Sequence, residues 1–277
     1  MNNLPIIQNN YIGFNNLIDL YTNNKNTYFE NIEINIRNFF AANMSAPLGV
    51  VLDKLTSNIN SINIHVSEKA KDILQRNCFL SNYGYEIKYD KNDTTIPYTR
   101  FSRNESKNFA DYVYNKLLSH NSMPNLSEGL KRKVLEVICE LFSNASLHSK
   151  TSYIYACGQY YPNLNQLDFT IADMGIGIRE NVSAFMGKDI DSIKAIQWAL
   201  VDGNTTKKSV PGGYGLGILK NLITYNNGFM QIVSDDGFYE FNNNRETYKN
   251  FMGKFPGTVV NLQFRTNDFA SYSLTNE

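Results

Sequence analysis

Hydrophobic residues recur at every third or fourth position over residues 127–149, and this spacing predicts an amphipathic α-helix. Four residues would form its apolar face: Leu135, Ile138, Phe142 and Ala145. Glu140, Asn144 and His148 are four residues apart, so they would form a polar stripe roughly opposite that face. Such a stripe is compatible with a solvated helix surface. It is also compatible with a metal–phosphate centre, where an amide oxygen binds a hard cation and a carboxylate orients or deprotonates a nucleophile.

Alternation of apolar and polar residues predicts strands in other parts of the chain. The predicted strands cover 28–37, 61–66, 152–159, 166–172, 228–234 and 258–264. Further helices are predicted near 14–22, from Pro47 to 55, over 67–75, from 104 or 106 to 119, over 190–201 and from 216 onward. We expect an edge strand or an extended connection over 85–104, and an aromatic and polar insertion over 235–256. This succession predicts an α+β protein with two domains, 1–104 and 105–277.

Length and composition narrow the class of protein. A chain of 277 residues with 42% hydrophobic residues can bury one large core or two modest ones. Lysine plus arginine and aspartate plus glutamate number 26 each, which argues against a general nucleic-acid or anionic-membrane binder. The three cysteines are widely spaced, which favours a reducing compartment and no cysteine metal site. Since no apolar run reaches membrane-spanning length and no signal-like N-terminus is present, we expect a soluble cytoplasmic protein.

Asp173 follows the predicted strand 166–172 and opens the sequence DMGIG. A carboxylate at a strand end can accept a hydrogen bond from an exocyclic amine, such as that of adenine. Gly175 and Gly177 allow the backbone to approach a flat ring closely or to turn with positive φ. Taken alone, this motif is explained equally well by a strand that ends in a tight turn.

The sequence GGYGLG at 212–217 leads into the apolar helix predicted from Leu216. A glycine-rich backbone that enters a helix N-terminus presents free N–H groups and the positive end of the helix dipole to an anion. The spacing differs from the dinucleotide-binding fingerprint, and the Gly-Lys-Ser/Thr of a P-loop is missing. Lys207 and Lys208 precede this sequence, and they are either phosphate-binding residues or solvated loop residues.

In order and separation, the three segments resemble the N, G1 and G2 boxes of the GHKL superfamily, which includes DNA gyrase, heat-shock chaperone ATPases, histidine kinases and MutL. Thr258, in the sequence FPGTVVNL at 255–262, looks like the final strand motif of that superfamily. The resemblance covers residues 105–268. It implies a Bergerat-fold α/β sandwich, in which a mixed sheet is covered by helices on one face, and it implies ATP and Mg²⁺ as ligands.

The resemblance also implies a role for each motif residue. Asn144 would coordinate Mg²⁺ between the phosphates, and Glu140 would be the general base for water or for a hydroxyl. Asp173 would bind the adenine amine, and Thr258 would support the adenine. The glycine-rich motifs would shape the rest of the site: Gly175 and Gly177 the adenine wall, and Gly213, Gly215, Leu216 and Gly217 the phosphate end. The interval 178–211 corresponds to the ATP lid of the family, a segment that has to move.

Residues 25–90 loosely resemble a STAS domain, the fold of bacterial anti-sigma-factor antagonists, because strands and helices alternate there. In that family a serine at a helix entrance is phosphorylated by a GHKL-type serine kinase. The matching position here is Ala46, and Ser45 is only its neighbour, so this chain departs from the pattern. A small α/β packing or dimerisation domain is the alternative interpretation.

The branch of the superfamily that this chain resembles depends on the other structural elements and domains that accompany the motifs. A histidine kinase needs a phospho-accepting histidine on a two-helix hairpin, whereas gyrase, MutL and the chaperones need a transducer domain, and we expect neither here. We therefore expect a slow ATPase or a serine/threonine kinase of the anti-sigma type, acting with a protein partner. The alternative is a non-catalytic module in which ATP orders the lid and changes a partner surface. A homodimer is compatible with both, and neither nucleic acid nor a membrane is an expected partner.

Overall fold

The computed structural model describes residues 2–148, 151–206, 215–268 and 270–274, and the fold is α+β. Its helices are α1 (Tyr11–Asn24), α2 (Ser45–Thr56), α3 (Glu68–Arg76), α4 (Ser106–Tyr112), α5 (Glu128–His148), α6 (Gly177–Met186), α7 (Ser192–Leu200) and α8 (Gly215–Tyr225). Its strands are β1 (Asn2–Leu4), β2 (Asn31–Ile36), β3 (Ser61–Val66), β4 (Thr95–Ser102), β5 (Asn125–Leu126), β6 (Tyr153–Tyr161), β7 (Gln166–Asp173), β8 (Phe229–Asn242), β9 (Arg245–Arg265) and β10 (Ser271–Tyr272). The predicted strand 61–66 is confirmed residue for residue, and α5 lies within one residue of its predicted ends.

The central sheet has five strands in the order β4-β6-β7-β9-β8. Every neighbouring pair in it is antiparallel, so the predicted mixed sheet is wrong. Short turns join β6 to β7 and β8 to β9, and each turn forces its two strands to run in opposite directions. Pro162–Leu164 forms the β6–β7 turn, as predicted. Asn243 and Asn244 form the β8–β9 turn, and both have a positive φ. Hairpin turns with this backbone conformation favour asparagine.

Strands β8 and β9 form one long hairpin, so the insertion predicted over 235–256 is wrong. Most of that interval continues the two strands, and their register shifts on either side of Asp235. Asp235 has a φ of 55°, and it stands in the polar sequence SDDG, which has the composition of a turn. The local composition therefore indicated a strand end where the chain only kinks through a β-bulge.

A second sheet contains the strands β1, β2 and β3 in parallel. Parallel neighbours need a crossover, and α1 and α2 provide the two connections. Ile32, Ile34 and Ile36 alternate along β2 and are all buried. The apolar side of this sheet therefore faces the helices, as the alternation in the sequence predicts.

The two sheets enclose α1 and α2. One buried cluster joins the isoleucines of the parallel sheet, the apolar residues of α1 and α2, and one face of the central sheet. Helix α2 is buried at every position from 45 to 52. A second cluster covers the other face of the central sheet with α4, α5 and α8. The helices of the C-terminal part thus cover one face of the central sheet, and α1 and α2 of the N-terminal part cover the other, which the sequence did not predict.

Strand β4 lies at the edge of the central sheet and pairs with β6. An edge strand was one of the two expectations for residues 85–104. Although the predicted domain boundary follows at residue 104, β4 belongs to the sheet of the C-terminal part. Within the described ranges, no helix is both long enough and apolar enough to span a membrane.

Candidate functional site

A cavity of about 170 Å³ lies between the central sheet and the helices α5, α6, α7 and α8. Residues from distant parts of the chain line it. They include Glu140, Asn144, Asp173, Trp198, Leu216 and Thr258. The three motif segments found in the sequence therefore contribute to one cavity, although the structure describes the third of them only from Gly215 onward.

Helix α5 turns two residues of its polar stripe, Glu140 and Asn144, toward this cavity. The Ser127 hydroxyl accepts a hydrogen bond from the Leu130 N–H at 3.1 Å and so caps the start of the helix. Phe142 is buried and stacks on Phe109 with ring centroids 4.5 Å apart, which fixes the rotation of the helix against its neighbours. Glu140 and Asn144 are partly buried and line the cavity. These two residues therefore lie in the wall of a cavity, which the solvated-surface interpretation did not predict.

The surface of α5 toward the cavity differs from its prediction. The polar stripe was expected roughly opposite the apolar face, but the apolar Val137, Leu141 and Ala145 line the same cavity as the stripe. The side of α5 toward the cavity is thus mixed in character, apolar for packing and polar at two positions. The backbone of His148 ends the helix, but its side chain lies outside the described part of the structure.

Asp173 is the last residue of β7 and is only 8% exposed. Ile171 and Asp173 face the cavity, since residues two apart on a strand share a face. Asp173 Oδ1 accepts a hydrogen bond from the Gly175 N–H at 2.7 Å, which closes a tight turn directly after the strand. Asp173 thus forms the predicted turn and also lines the cavity, and its role in binding remains a prediction.

Thr258 pairs with Asp173 across β7 and β9 and with Ser234 across β8 and β9. The hydroxyls of Thr258 and Ser234 lie 3.2 Å apart, within hydrogen-bond distance. The Ile178 N–H donates to Ser234 Oγ at 2.8 Å, which ties the first turn of α6 to the sheet. Ser234 was missed by the sequence analysis. Its only signal there was its position at the end of the strand predicted over 228–234.

Gly177 and Gly257 allow close packing behind the turn that follows Asp173. Gly177 has a φ of +83° at the start of α6, a conformation that the sequence analysis anticipated for this glycine. A Cβ on Gly257 would lie 1.8 Å from the backbone oxygen of Asp173. Strand β9 can therefore approach the end of β7 only with glycine at position 257, a constraint that the sequence analysis did not identify.

The third motif is described only in part. Gly213 and Lys207, which were expected near the phosphates, lie outside the described residues. Gly215 is the first residue of α8, and Leu216 lines the cavity as predicted. Gly217 lies in the first turn of α8, in contact with Asp202 from the preceding segment. The predicted contact of these glycines with phosphate remains a prediction.

The interval expected to act as a lid contains two helices. Helix α7 confirms the helix predicted over 190–201, whereas α6 was missed. Its apolar residues Ile178, Val182, Phe185 and Met186 follow a helical spacing, a signal that the sequence analysis did not use. After α7, Thr205 and Thr206 also line the cavity. This interval therefore forms one wall of the cavity.

Behind the turn that follows Asp173, α2 supports the sheet from the opposite face. The Tyr155 hydroxyl donates to Asp53 Oδ2 at 2.6 Å and lies 3.4 Å from the sulfur of Met174. Arg100 forms an ion pair with the same Asp53 oxygen at 3.0 Å. Burial raises the pKa of the Tyr155 hydroxyl, and the charge of Asp53 raises it further, so this tyrosine is a neutral donor.

Lys54 follows Asp53 in α2 and is partly buried. Burial lowers the pKa of its ammonium group, and the negative charge of Asp173 partly offsets that effect. The cation thus acts electrostatically on the carboxylate from behind the sheet. No pattern in the sequence indicated this relation, because the two residues are far apart in the chain.

The helix entrance that resembles a phosphorylation site is not accessible. Ser45 and Ala46 are both completely buried. Ser45 Oγ accepts a hydrogen bond from Asn77 Nδ2 at 2.9 Å. The N–H of Ala42, just before this helix, donates to Gln159 Oε1 on β6 at 2.5 Å. The start of α2 therefore packs directly on the central sheet.

The side chains around the cavity can hold a hard cation only if a bound ligand supplies further oxygen atoms. Among the residues that the structure describes, no three His, Cys, Asp or Glu side chains come together as a metal site. Mg²⁺ in phosphate complexes takes one or two protein oxygens and the rest from phosphate and water. Asn144 offers such an oxygen, one helical turn from the Glu140 carboxylate. These residues fit a metal that arrives with a phosphorylated ligand.

Comparisons with known proteins give no family for this chain. No known protein-family model matches it, and no curated protein matches it. The function must therefore be argued from the residues of the cavity.

Proposed function

We propose that the protein binds Mg²⁺-ATP in this cavity, as a GHKL-type protein with a Bergerat-fold nucleotide domain and a STAS-like N-terminal domain. One observation carries the proposal. Glu140, Asn144, Asp173 and Thr258 come from separate segments of the chain and line one cavity. Those are the residues to which the motifs assign base catalysis, metal binding and adenine recognition.

The enclosed part of the cavity suits a flat ring. Its volume of about 170 Å³ is below the several hundred Å³ typical of pockets that enclose a whole drug-sized ligand. Ile171, Ile232 and Val260 provide apolar walls, and the Asp173 carboxylate can accept a hydrogen bond from the adenine amine. The ribose and phosphates would then extend toward Asn144 and the start of α8.

At the phosphate end, Asn144 would hold the cation through its amide oxygen. Bound Mg²⁺ would neutralise the phosphate charge, which is the chemistry that phosphoryl transfer requires of it. Glu140 would orient a water molecule or a hydroxyl and accept its proton. The N-terminal turn of α8 offers backbone N–H groups to the phosphates. This arrangement supports a slow ATPase or a serine/threonine protein kinase with a regulatory role.

A second candidate function is a non-catalytic, ATP-gated interaction module. It is favoured by the burial of Ser45 and Ala46, because the helix entrance that resembles a phosphorylation site offers no accessible acceptor for phosphate. In that case ATP would act through the segment 202–206 at the edge of the cavity. A protein partner would then sense the change in the outer surface.

Incubation with labelled ATP and Mg²⁺ tests these functions. Label on a protein substrate indicates a kinase, and free phosphate that is lost in the Glu140→Ala variant indicates an ATPase. Glu136→Ala is the matched control, since Glu136 lies one turn earlier on α5 and its side chain is 67% exposed. Binding without either product supports the gated module. The absence of any binding heat with millimolar Mg²⁺-ATP would refute the proposal as a whole.

A further inference from the structure

A carboxylate from the segment after α7 lies against the first turn of α8. Asp202 Oδ1 is 1.8 Å from the point where a Cβ on Gly217 would stand, and Oδ2 is 3.1 Å from it. The two groups can approach this closely only because residue 217 has no side chain. Asp202 is otherwise exposed, so burial of its side chain does not account for the contact.

The position of this carboxylate has an electrostatic consequence. A Cα–Cβ bond in a helix tilts toward the N-terminus, so the Asp202 carboxylate lies outside the first turn of α8 and toward its N-terminal end. The N–H groups of that turn lack partners within the helix, and they carry the positive end of the helix dipole. Helix α8 has no acidic residue of its own in the first turn. Asp202 therefore supplies the negative charge there from another segment.

The segment that carries Asp202 is folded back on α7. Asn204 Nδ2 donates to the backbone oxygen of Trp198 at 2.9 Å, and the Asn204 N–H donates to the oxygen of Val201 at 3.2 Å. Thr205 and Thr206 follow directly and line the cavity. The contact between Asp202 and Gly217 thus joins the wall formed by residues 202–206 to α8 across the edge of the cavity.

We propose that Asp202 is a built-in competitor of the nucleotide phosphates and sets the preference of the site by phosphate charge. This inference rests on the proposed function, because it assumes that the phosphates approach the start of α8. A bound phosphate would repel the Asp202 carboxylate and replace it near the N-terminal turn. ATP would thereby release the segment 202–206 from Gly217, whereas adenosine, which carries no phosphate, would leave the contact in place.

The test compares Asp202→Asn with the unchanged protein in calorimetric titrations of Mg²⁺-ATP and of adenosine. We expect the variant to bind Mg²⁺-ATP roughly two- to five-fold more tightly, the range expected for one charge at an exposed helix terminus, and adenosine equally tightly. High salt should reduce the difference, since it screens exposed charges. Asp19→Asn on α1 is the matched control for the change in net charge, because Asp19 is exposed and its element lies on the opposite face of the central sheet.

A second measurement follows the contact without any nucleotide. Trp198 is partly buried beside the segment, so acrylamide should quench its fluorescence more strongly in Asp202→Asn than in Asp19→Asn. An Asp202→Asn variant that binds Mg²⁺-ATP no more tightly than the unchanged protein would overturn the inference, while the proposed function stands if the unchanged protein binds Mg²⁺-ATP. If the unchanged protein binds neither ligand, the proposed function and this inference both fail.

Discussion

The hydroxyl of Tyr155 and the carboxylate of Asp53 form a 2.6 Å hydrogen bond that joins the central sheet to a helix of the N-terminal part. Tyr155 is completely buried on β6, and Asp53 lies near the end of α2. Because the Tyr155 hydroxyl also lies 3.4 Å from the sulfur of Met174, the contact supports the turn after Asp173. Two regions that the sequence assigned to separate domains thus meet directly behind the candidate site.

Removing this hydroxyl should cost stability. We expect Tyr155→Phe to lower the free energy of unfolding by about 1–2 kcal/mol, because the ring remains packed while a hydrogen bond to a charged group is lost. Asp53 keeps its ion pair with Arg100, which limits the loss. Urea unfolding measures the effect. Tyr153→Phe is the control, since Tyr153 is only partly buried, and an equal change in both variants would show that the contact with Asp53 is not the cause.

The burial of Ser45 leads to a second prediction. A negative charge at this position would have no room and no solvent, so Ser45→Glu should lower the free energy of unfolding by several kcal/mol or prevent folding. Ser45→Ala should cost only about 1 kcal/mol, the usual value for one lost hydrogen bond, here the bond from Asn77. Thermal unfolding of both variants distinguishes the large loss of stability from the small one. A Ser45→Glu variant as stable as Ser45→Ala would mean that the helix entrance is open to solvent.

Gly257 gives a third prediction. An alanine Cβ there would lie 1.8 Å from the backbone oxygen of Asp173, and neither strand can move without breaking the ladder between them. Gly257→Ala should therefore cost about 3 kcal/mol or more and should abolish ATP binding through the displaced Asp173. Gly187→Ala is the control. Gly187 has a φ of +67° but open space around it, so that change should cost about 1 kcal/mol and leave binding intact.

Local periodicity predicted the elements whose pattern is strong and uninterrupted. Helix α5 and strand β3 were predicted within one residue of their ends, and the last residue of β7, Asp173, was placed correctly at a strand end. Helix α6 was missed although its apolar residues have helical spacing, and the far half of the β8–β9 hairpin was missed because a bulge there resembles a turn.

Relations between distant residues were harder to predict than elements. The motifs indicated that Glu140, Asn144, Asp173 and Thr258 belong together, and all four line the cavity. Ser234 was indicated only by its position at the end of a predicted strand, and its contact with Thr258 was not predicted. These contacts depend on which side of the sheet a residue faces and on what packs there, and a one-dimensional pattern contains neither.

The last prediction concerns Asp168, a buried carboxyl group between the N-terminal segment and the central sheet. It accepts hydrogen bonds from Gln263 Nε2 at 2.9 Å and from Asn9 Nδ2 at 3.3 Å. Burial raises the pKa of this carboxyl from 3.8 to about 7, although these two hydrogen bonds and the charge of Arg265 act in the opposite direction. Asn9 Oδ1 is buried without a hydrogen-bond partner, and a flip of that amide would present it to a protonated Asp168.

Because the folded chain holds this proton up to about pH 7 and the unfolded chain releases it near pH 4, Asp168 lowers the free energy of unfolding as the pH rises between those values. Asp168→Asn removes this effect. Relative to the unchanged protein, the variant should gain about 2–3 kcal/mol between about pH 5 and pH 8. Urea unfolding at both pH values measures the gain, and Asp19→Asn should show none because Asp19 is exposed. A difference between Asp168→Asn and the unchanged protein that does not vary with pH would mean that Asp168 is already ionised in the folded chain at about pH 5.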